Sequence, residues 1–142
     1  MIRRSMMLAA AVLLIGTNTL VPCDFECRGK QTLERAVADA DWVFVGRVTS
    51  IETQSGPPEF GVGILTASEV FKGKSAAQFK VAIGRYCMGT WLTEGVEYLL
   101  FVSLPFPGEP LVVNTCSPSG PTKDAATELR KLRDRKRPKD NR

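Results

Sequence analysis

Asp41-Trp42-Val43-Phe44-Val45-Gly46-Arg47-Val48-Thr49-Ser50-Ile51-Glu52 is the run on which the reading of this chain turns. It is rich in β-branched and aromatic side chains and has no proline, so it predicts one long strand. Gly46 in its middle marks a bulge or sharp coiling. Upstream, residues 31–40 place Leu33, Ala36, Val37 and Ala40 on one helical face, with Thr32 as N-cap. Downstream, residues 60–71 alternate as a second long strand, turned by Lys72-Gly73-Lys74. Further strands are predicted over 78–84, 97–103 and 111–116, with loops at 54–59 and 105–110 and a turn at Glu94-Gly95. Residues 123–136 form a last helix with Ala125, Ala126, Leu129 and Leu132 on one face. Five strands with long, glycine-containing early members predict a mainly β fold. The form expected is a five-stranded OB-like closed barrel with a short N-terminal and a C-terminal helix; a small sandwich is the alternative.

The chain has 142 residues and 44% hydrophobic side chains, which suits one domain with one core. It has no histidine, which removes Ser-His-Asp and Cys-His nucleophiles, His-ligated zinc and proximal-His haem. Of the candidate carboxylates Asp39, Asp41, Glu69, Glu94 and Glu97, the first two are read as ending a helix, Glu69 and Glu97 as strand-face residues, and Glu94 lies in the predicted turn. No nucleophile and base stand together, so no enzyme activity and no cofactor are expected.

Met1 to Arg4 are basic, and residues 6–15 form an apolar run of ten. That is too short to span a bilayer, which needs about 20 residues, and it has the length of a signal-peptide core. Residues 1–22 are therefore expected to be a signal peptide, cut somewhere over 19–22, and the mature chain secreted or periplasmic. Leu20-Val21-Pro22-Cys23 is close to a lipoprotein box, but Pro22 stands where a small residue belongs. In an oxidising compartment Cys23, Cys27, Cys87 and Cys116 predict two disulfides. A Cys23–Cys27 bond would stabilise little, so long-range pairs are preferred, and two long-range connectivities remain. The spacing is wrong for a zinc site of the chain's own.

The formal charge is +4, yet residues 128–142 alone carry +5. Residues 133–142 are therefore read as a basic, disordered tail that keeps the protein soluble, with an anionic partner as the other reading. The body is mildly acidic, which argues against nucleic acid. Phe44, Phe71, Tyr98 and Phe101 are expected in the core. Trp42, Tyr86 and Trp91 are expected to pack about a disulfide.

Across residues 23–132 the order of features resembles the netrin-like module and, within it, the tissue inhibitors of metalloproteinases and their bacterial relatives. Two cysteines open the segment, and a short helix ends in Ala38-Asp39-Ala40-Asp41. Residues 41–48 follow the family's "D-x-V-F-x-G-x-V" strand and Val70-Phe71-Lys72-Gly73 its "x-F-K-G" strand end. Residues 95–101 follow "G-x-x-Y-L-x-F", and Asn114-Thr115-Cys116-Ser117 precede the last helix. The resemblance implies the pairs Cys23–Cys87 and Cys27–Cys116. It implies an inhibitory ridge of Cys23, Asp24, Phe25, Glu26 and Cys27, in which the α-amine and carbonyl of a mature N-terminal Cys23 ligate the zinc of a target protease and Asp24 enters its specificity pocket. Phe25 is either exposed on that ridge or a plug on the barrel. The expected partner is a protein, a zinc metalloprotease in this reading. The alternative is a non-inhibitory interaction module that binds another extracytoplasmic protein or a polymer. No nucleic-acid or membrane-spanning role is expected, and the chain is expected to be a monomer.

Overall fold

A computed structural model describes Cys27 and residues 29–54, 60–84 and 92–138. The first helix, α1 (Leu33–Asp39), is capped as its sequence predicts: the Thr32 hydroxyl accepts from the Arg35 amide at 3.3 Å. Its stripe is buried at Leu33, Ala36 and Ala40. Strands β1 (Trp42–Gln54) and β2 (Phe60–Lys72) form a long antiparallel hairpin. β3 (Gln78–Ile83) pairs with β2, and β4 (Glu97–Ser103) pairs with β1. Two short strands, β5 (Val112–Val113) and β6 (Gly120–Pro121), add to β4. A 3₁₀ turn over Thr122–Asp124 leads into α2 (Ala126–Lys136). α2 thus takes in Arg133 to Lys136, the first residues of the basic stretch. Among the described residues no helix is long and apolar enough to cross a membrane.

The sheet is open, and this corrects the closed five-stranded barrel expected from the sequence. Its order is β3-β2-β1-β4-β5, with β6 beside β4, so the described residues form six strands and β3 and β5 lie at opposite ends. Between those ends runs one isolated parallel bridge, Val81 to Leu111, made by Leu111 N–H to the Lys80 carbonyl and Ala82 N–H to the Leu111 carbonyl, each 2.8 Å. A barrel needs a ladder there, and β5 has two residues rather than the six predicted over 111–116. Asn114 ends it early: its carbonyl accepts from the Ser117 amide and its side chain accepts from the Cys116 amide, which turns the chain away. Of the two disulfides expected, Cys27–Cys116 is present; Cys23 and Cys87 lie outside the described residues.

The two faces of the sheet bury two cores. Phe44, Val48, Leu65, Phe79, Val81, Tyr98, Leu100 and Val102 fill one face. Val43, Val45, Leu99 and Phe101 meet α1 and α2 on the other, against Leu33, Ala36, Leu129 and Leu132. β1 and β4 are covered on both sides, so the apolar run Tyr98-Leu99-Leu100-Phe101-Val102 is continuous rather than alternating. Gly46 lies at a register shift between β1 and β2, as its place in the strand predicts. A Cβ there would sit 3.1 Å from the Phe44 ring and 3.3 Å from Leu65. Phe44, Tyr98 and Phe101 are buried as expected, while Phe71 is half-buried at the helix-side core.

Trp42 packs differently from expectation. Its ring lies over the turn between β2 and β3, and its indole N–H donates to the Lys74 carbonyl at 3.1 Å, so it buttresses a turn rather than a disulfide. Gly73 in that turn has φ +92°, and a Cβ on it would lie 2.3 Å from the Trp42 ring. Left-handed backbone costs an L-residue about 1–2 kcal/mol, and the clash adds to that. Gly73→Ala is expected to lower unfolding free energy by about 2 kcal/mol or more in urea denaturation; a loss under about 0.5 kcal/mol would show that the turn relaxes freely.

Candidate functional site: the disulfide-clamped N-terminal end

The residues expected to carry the function surround Cys27. Cys23, Asp24, Phe25 and Glu26 lie outside the described residues, as do Cys87, Tyr86 and Trp91. Cys27 is described, and it is held firmly. Its disulfide to Cys116 joins positions 89 residues apart, with the Cα atoms 5.3 Å from each other. The Gly29 amide turns back onto the Cys27 carbonyl at 2.7 Å, with Gly29 at φ +81°. Two residues on, the Gln31 amide donates to the Cys116 carbonyl at 2.8 Å.

Side chains extend this clamp into the sheet. The Gln31 amide group accepts from Asn114 Nδ2 at 2.9 Å and donates to Asp39 at 3.1 Å. Asn114 N–H donates to the Phe101 carbonyl at 3.0 Å, which ties the segment to a fully buried residue of β4. Ser117 is 2% exposed; its hydroxyl lies 2.5 Å from the Asn114 carbonyl and 2.7 Å from the Ser119 hydroxyl, which accepts from the Phe101 amide. A buried hydroxyl without partners would cost stability; here each one is satisfied. The chain from Cys27 through Cys116 and Asn114 to Phe101 is a continuous hydrogen-bonded and covalent path from the N-terminal segment to the core. Sequence reasoning picked out both cysteines but missed Gln31, Ser117 and Ser119. Asn114 carried a usable signal, because asparagine before a turn commonly bonds the backbone two residues on.

The five carboxylates considered for catalysis are not brought together. Asp39 pairs with Arg35 at 2.8 Å, and Asp41 accepts from the Leu104 amide at 2.9 Å. Glu94 accepts from the Ile51 amide at 3.0 Å, and Glu97 from Thr122 at 3.3 Å. Glu69 accepts from two of the Arg133 guanidinium nitrogens, Nε and Nη2. Among the described residues no three His, Cys, Asp or Glu side chains are placed to hold a metal ion.

The basic helix is partly committed to structure. Arg133 bonds Glu69 of β2, and the carboxylate beside it holds its guanidinium above the ordinary arginine value. Arg135 pairs with Glu34 of α1. The Glu34 carboxyl is held below the usual range, first by its own backbone amide in the opening turn of α1 and then by Arg135. Lys136 donates to the Val70 carbonyl at 3.3 Å and lies 5.7 Å from the centre of the Phe71 ring. A cleft of about 420 Å³ beside α2 is lined by Arg130, Arg133 and Arg137, but also by Glu97 and Asp134, so its charge is mixed. No protein-family model matches this chain, and no curated protein matches it.

Proposed function

We propose that this chain is an extracytoplasmic binding module that presents the residues preceding Cys27 to a protein partner, and that the partner is a zinc metalloendopeptidase. The observation that carries the reading is the clamp at Cys27. A binding segment anchored by a disulfide and backbone hydrogen bonds loses less conformational entropy on docking than a loose one. A structural disulfide also belongs in an oxidising compartment, in keeping with an exported protein.

In this reading the neutral α-amine of Cys23 supplies a nitrogen ligand to the partner's zinc, which keeps an open coordination position for substrate. The amine must then be terminal. The spacing from Cys23 to Cys27 holds two more residues than the family's Cys-x-Cys, and Asp24 brings a charge that must be desolvated in an apolar pocket. Those two features favour, as a second reading, an interaction module that binds another extracytoplasmic protein or a polymer without touching a zinc.

The test compares two forms of the pure protein on a panel of zinc endopeptidases: one starting at Cys23, the other with a single alanine placed before it. Inhibition by the first and a loss of at least about 100-fold by the second is the expected result, since the added residue removes the terminal amine. Equal potency of the two, or no inhibition by either, overturns the zinc reading.

A further inference from the structure

A disulfide alone is a hinge. It fixes one distance, here 5.3 Å between the Cα atoms of Cys27 and Cys116, and rotation about the bonds flanking the sulfurs leaves the attached segment free to swing. A second attachment on the same segment removes that freedom. In this chain it falls on Gln31. Its backbone amide donates to the Cys116 carbonyl at 2.8 Å, and its half-buried side chain makes two further bonds.

The polarity of those side-chain bonds is dictated from both ends. At one end the Cys116 N–H, which only donates, bonds Asn114 Oδ1 at 3.0 Å. That leaves Asn114 Nδ2, a donor, facing Gln31, whose Oε1 accepts it at 2.9 Å. Gln31 Nε2 is then the donor on the far side, and it bonds Asp39 Oδ2 at 3.1 Å. The same Asp39 oxygen accepts from Arg35 Nε at 2.8 Å, so the carboxylate is held in place as an acceptor. Position 31 must accept on one side and donate on the other. Glutamine does both; glutamate lacks the donor, lysine the acceptor, and leucine has neither.

Both anchors belong to the packed body. Asp39 ends α1, which buries Leu33 and Ala36 in the helix-side core, and the Asn114 amide bonds the Phe101 carbonyl of β4. We propose that Gln31 is the positioning residue of the clamp: its side chain, and not the disulfide alone, fixes Cys27 relative to α1 and the sheet. This rests on the reading that the residues before Cys27 are presented to a partner, and it names what keeps their anchor still. A fixed anchor lowers the entropic cost of docking.

Amide hydrogen exchange on the whole chain, with exchange rates corrected for sequence, tests it without a partner. Gln31→Glu keeps the acceptor toward Asn114 but sets a second carboxylate against Asp39. Protection at the amides of Gly29 and position 31 is expected to fall at least about tenfold, while buried Leu99 and Leu100 of β4 keep theirs. Adding Asp39→Asn exchanges donor and acceptor, since the new amide donates to the new carboxylate, and is expected to restore protection. Asp39→Asn alone still offers Gln31 an acceptor and should change little, so the two substitutions are strongly coupled. Against any zinc endopeptidase that the wild-type chain starting at Cys23 inhibits, Gln31→Glu is expected to raise the inhibition constant at least about tenfold, and the double variant to bring it back. Unchanged protection in Gln31→Glu, a loss that spreads to Leu99 and Leu100, a loss that Asp39→Asn does not restore, or an unchanged inhibition constant overturns the proposal. Absence of inhibition by the wild-type chain overturns the zinc reading alone, and the exchange result then decides the role of Gln31.

Discussion

Replacing Cys27 and Cys116 together by alanine is expected to lower the unfolding free energy by about 4–5 kcal/mol. The bond joins positions 89 residues apart, so it closes α1 and strands β1 to β5 into one loop. Cutting a loop of that length returns a large conformational entropy to the unfolded chain, which grows with the logarithm of loop size. The native side loses something as well. Gln31 N–H and the Cys116 carbonyl, 2.8 Å apart, would no longer be held by the covalent link beside them. Since a domain of this size is stable by about 5–15 kcal/mol, the variant stands near the margin of folding. Urea denaturation of wild-type and variant protein gives the difference. A loss below about 1 kcal/mol would mean that the unfolded chain gains little freedom when the bond is absent.

Phe44→Ala is expected to cost about 4 kcal/mol. Phe44 is completely buried in the strand on which the fold is built, and its ring stacks on Phe79 of β3 with centroids 4.1 Å apart and planes 18° from parallel. The truncation removes the transfer energy of the ring, leaves a cavity between β1 and β3, and deletes an aromatic pair worth about 0.5–1.5 kcal/mol. Gly46 makes the site hard to refill from the backbone, because its missing Cβ is what gives the ring room. The urea midpoint should fall while the slope of the transition holds, which separates lost packing from a changed unfolded state. A loss under about 1.5 kcal/mol would show that neighbouring side chains collapse into the space.

Much of the fold could be read from local signals. Thr32 announced the start of α1, the branched and aromatic run at 42–48 announced β1, and Lys72-Gly73-Lys74 announced the turn after β2. What failed was closure. Alternation says which residues enter a strand, but not how many hydrogen bonds its outer edge will make. Leu111 to Val113 looked like the start of a full strand, yet Asn114 and Ser117 draw the chain into a turn and leave β5 two residues long. Long-range polar pairs were also out of reach. Glu69 and Arg133 are 64 residues apart, Glu34 and Arg135 are 101 apart, and neither pair leaves a periodic trace. For the same reason the basic residues of α2 read as a solvated surface, although two of its arginines clamp the helix to its neighbours. At the candidate site both cysteines of the clamp were legible from their even count in a small chain, whereas the hydrogen bonds around them depend on where the fold brings residues 31, 101 and 114 together.

The zinc reading rests on one chemical requirement, that the mature chain begin at Cys23 with an amine able to bind metal. The N-terminal sequence of the exported, processed protein tests it most directly. The account predicts Cys-Asp-Phe-Glu-Cys as the first five residues. A mature chain that starts upstream, at Leu20 for instance, would bury the Cys23 nitrogen in a peptide bond and contradict it.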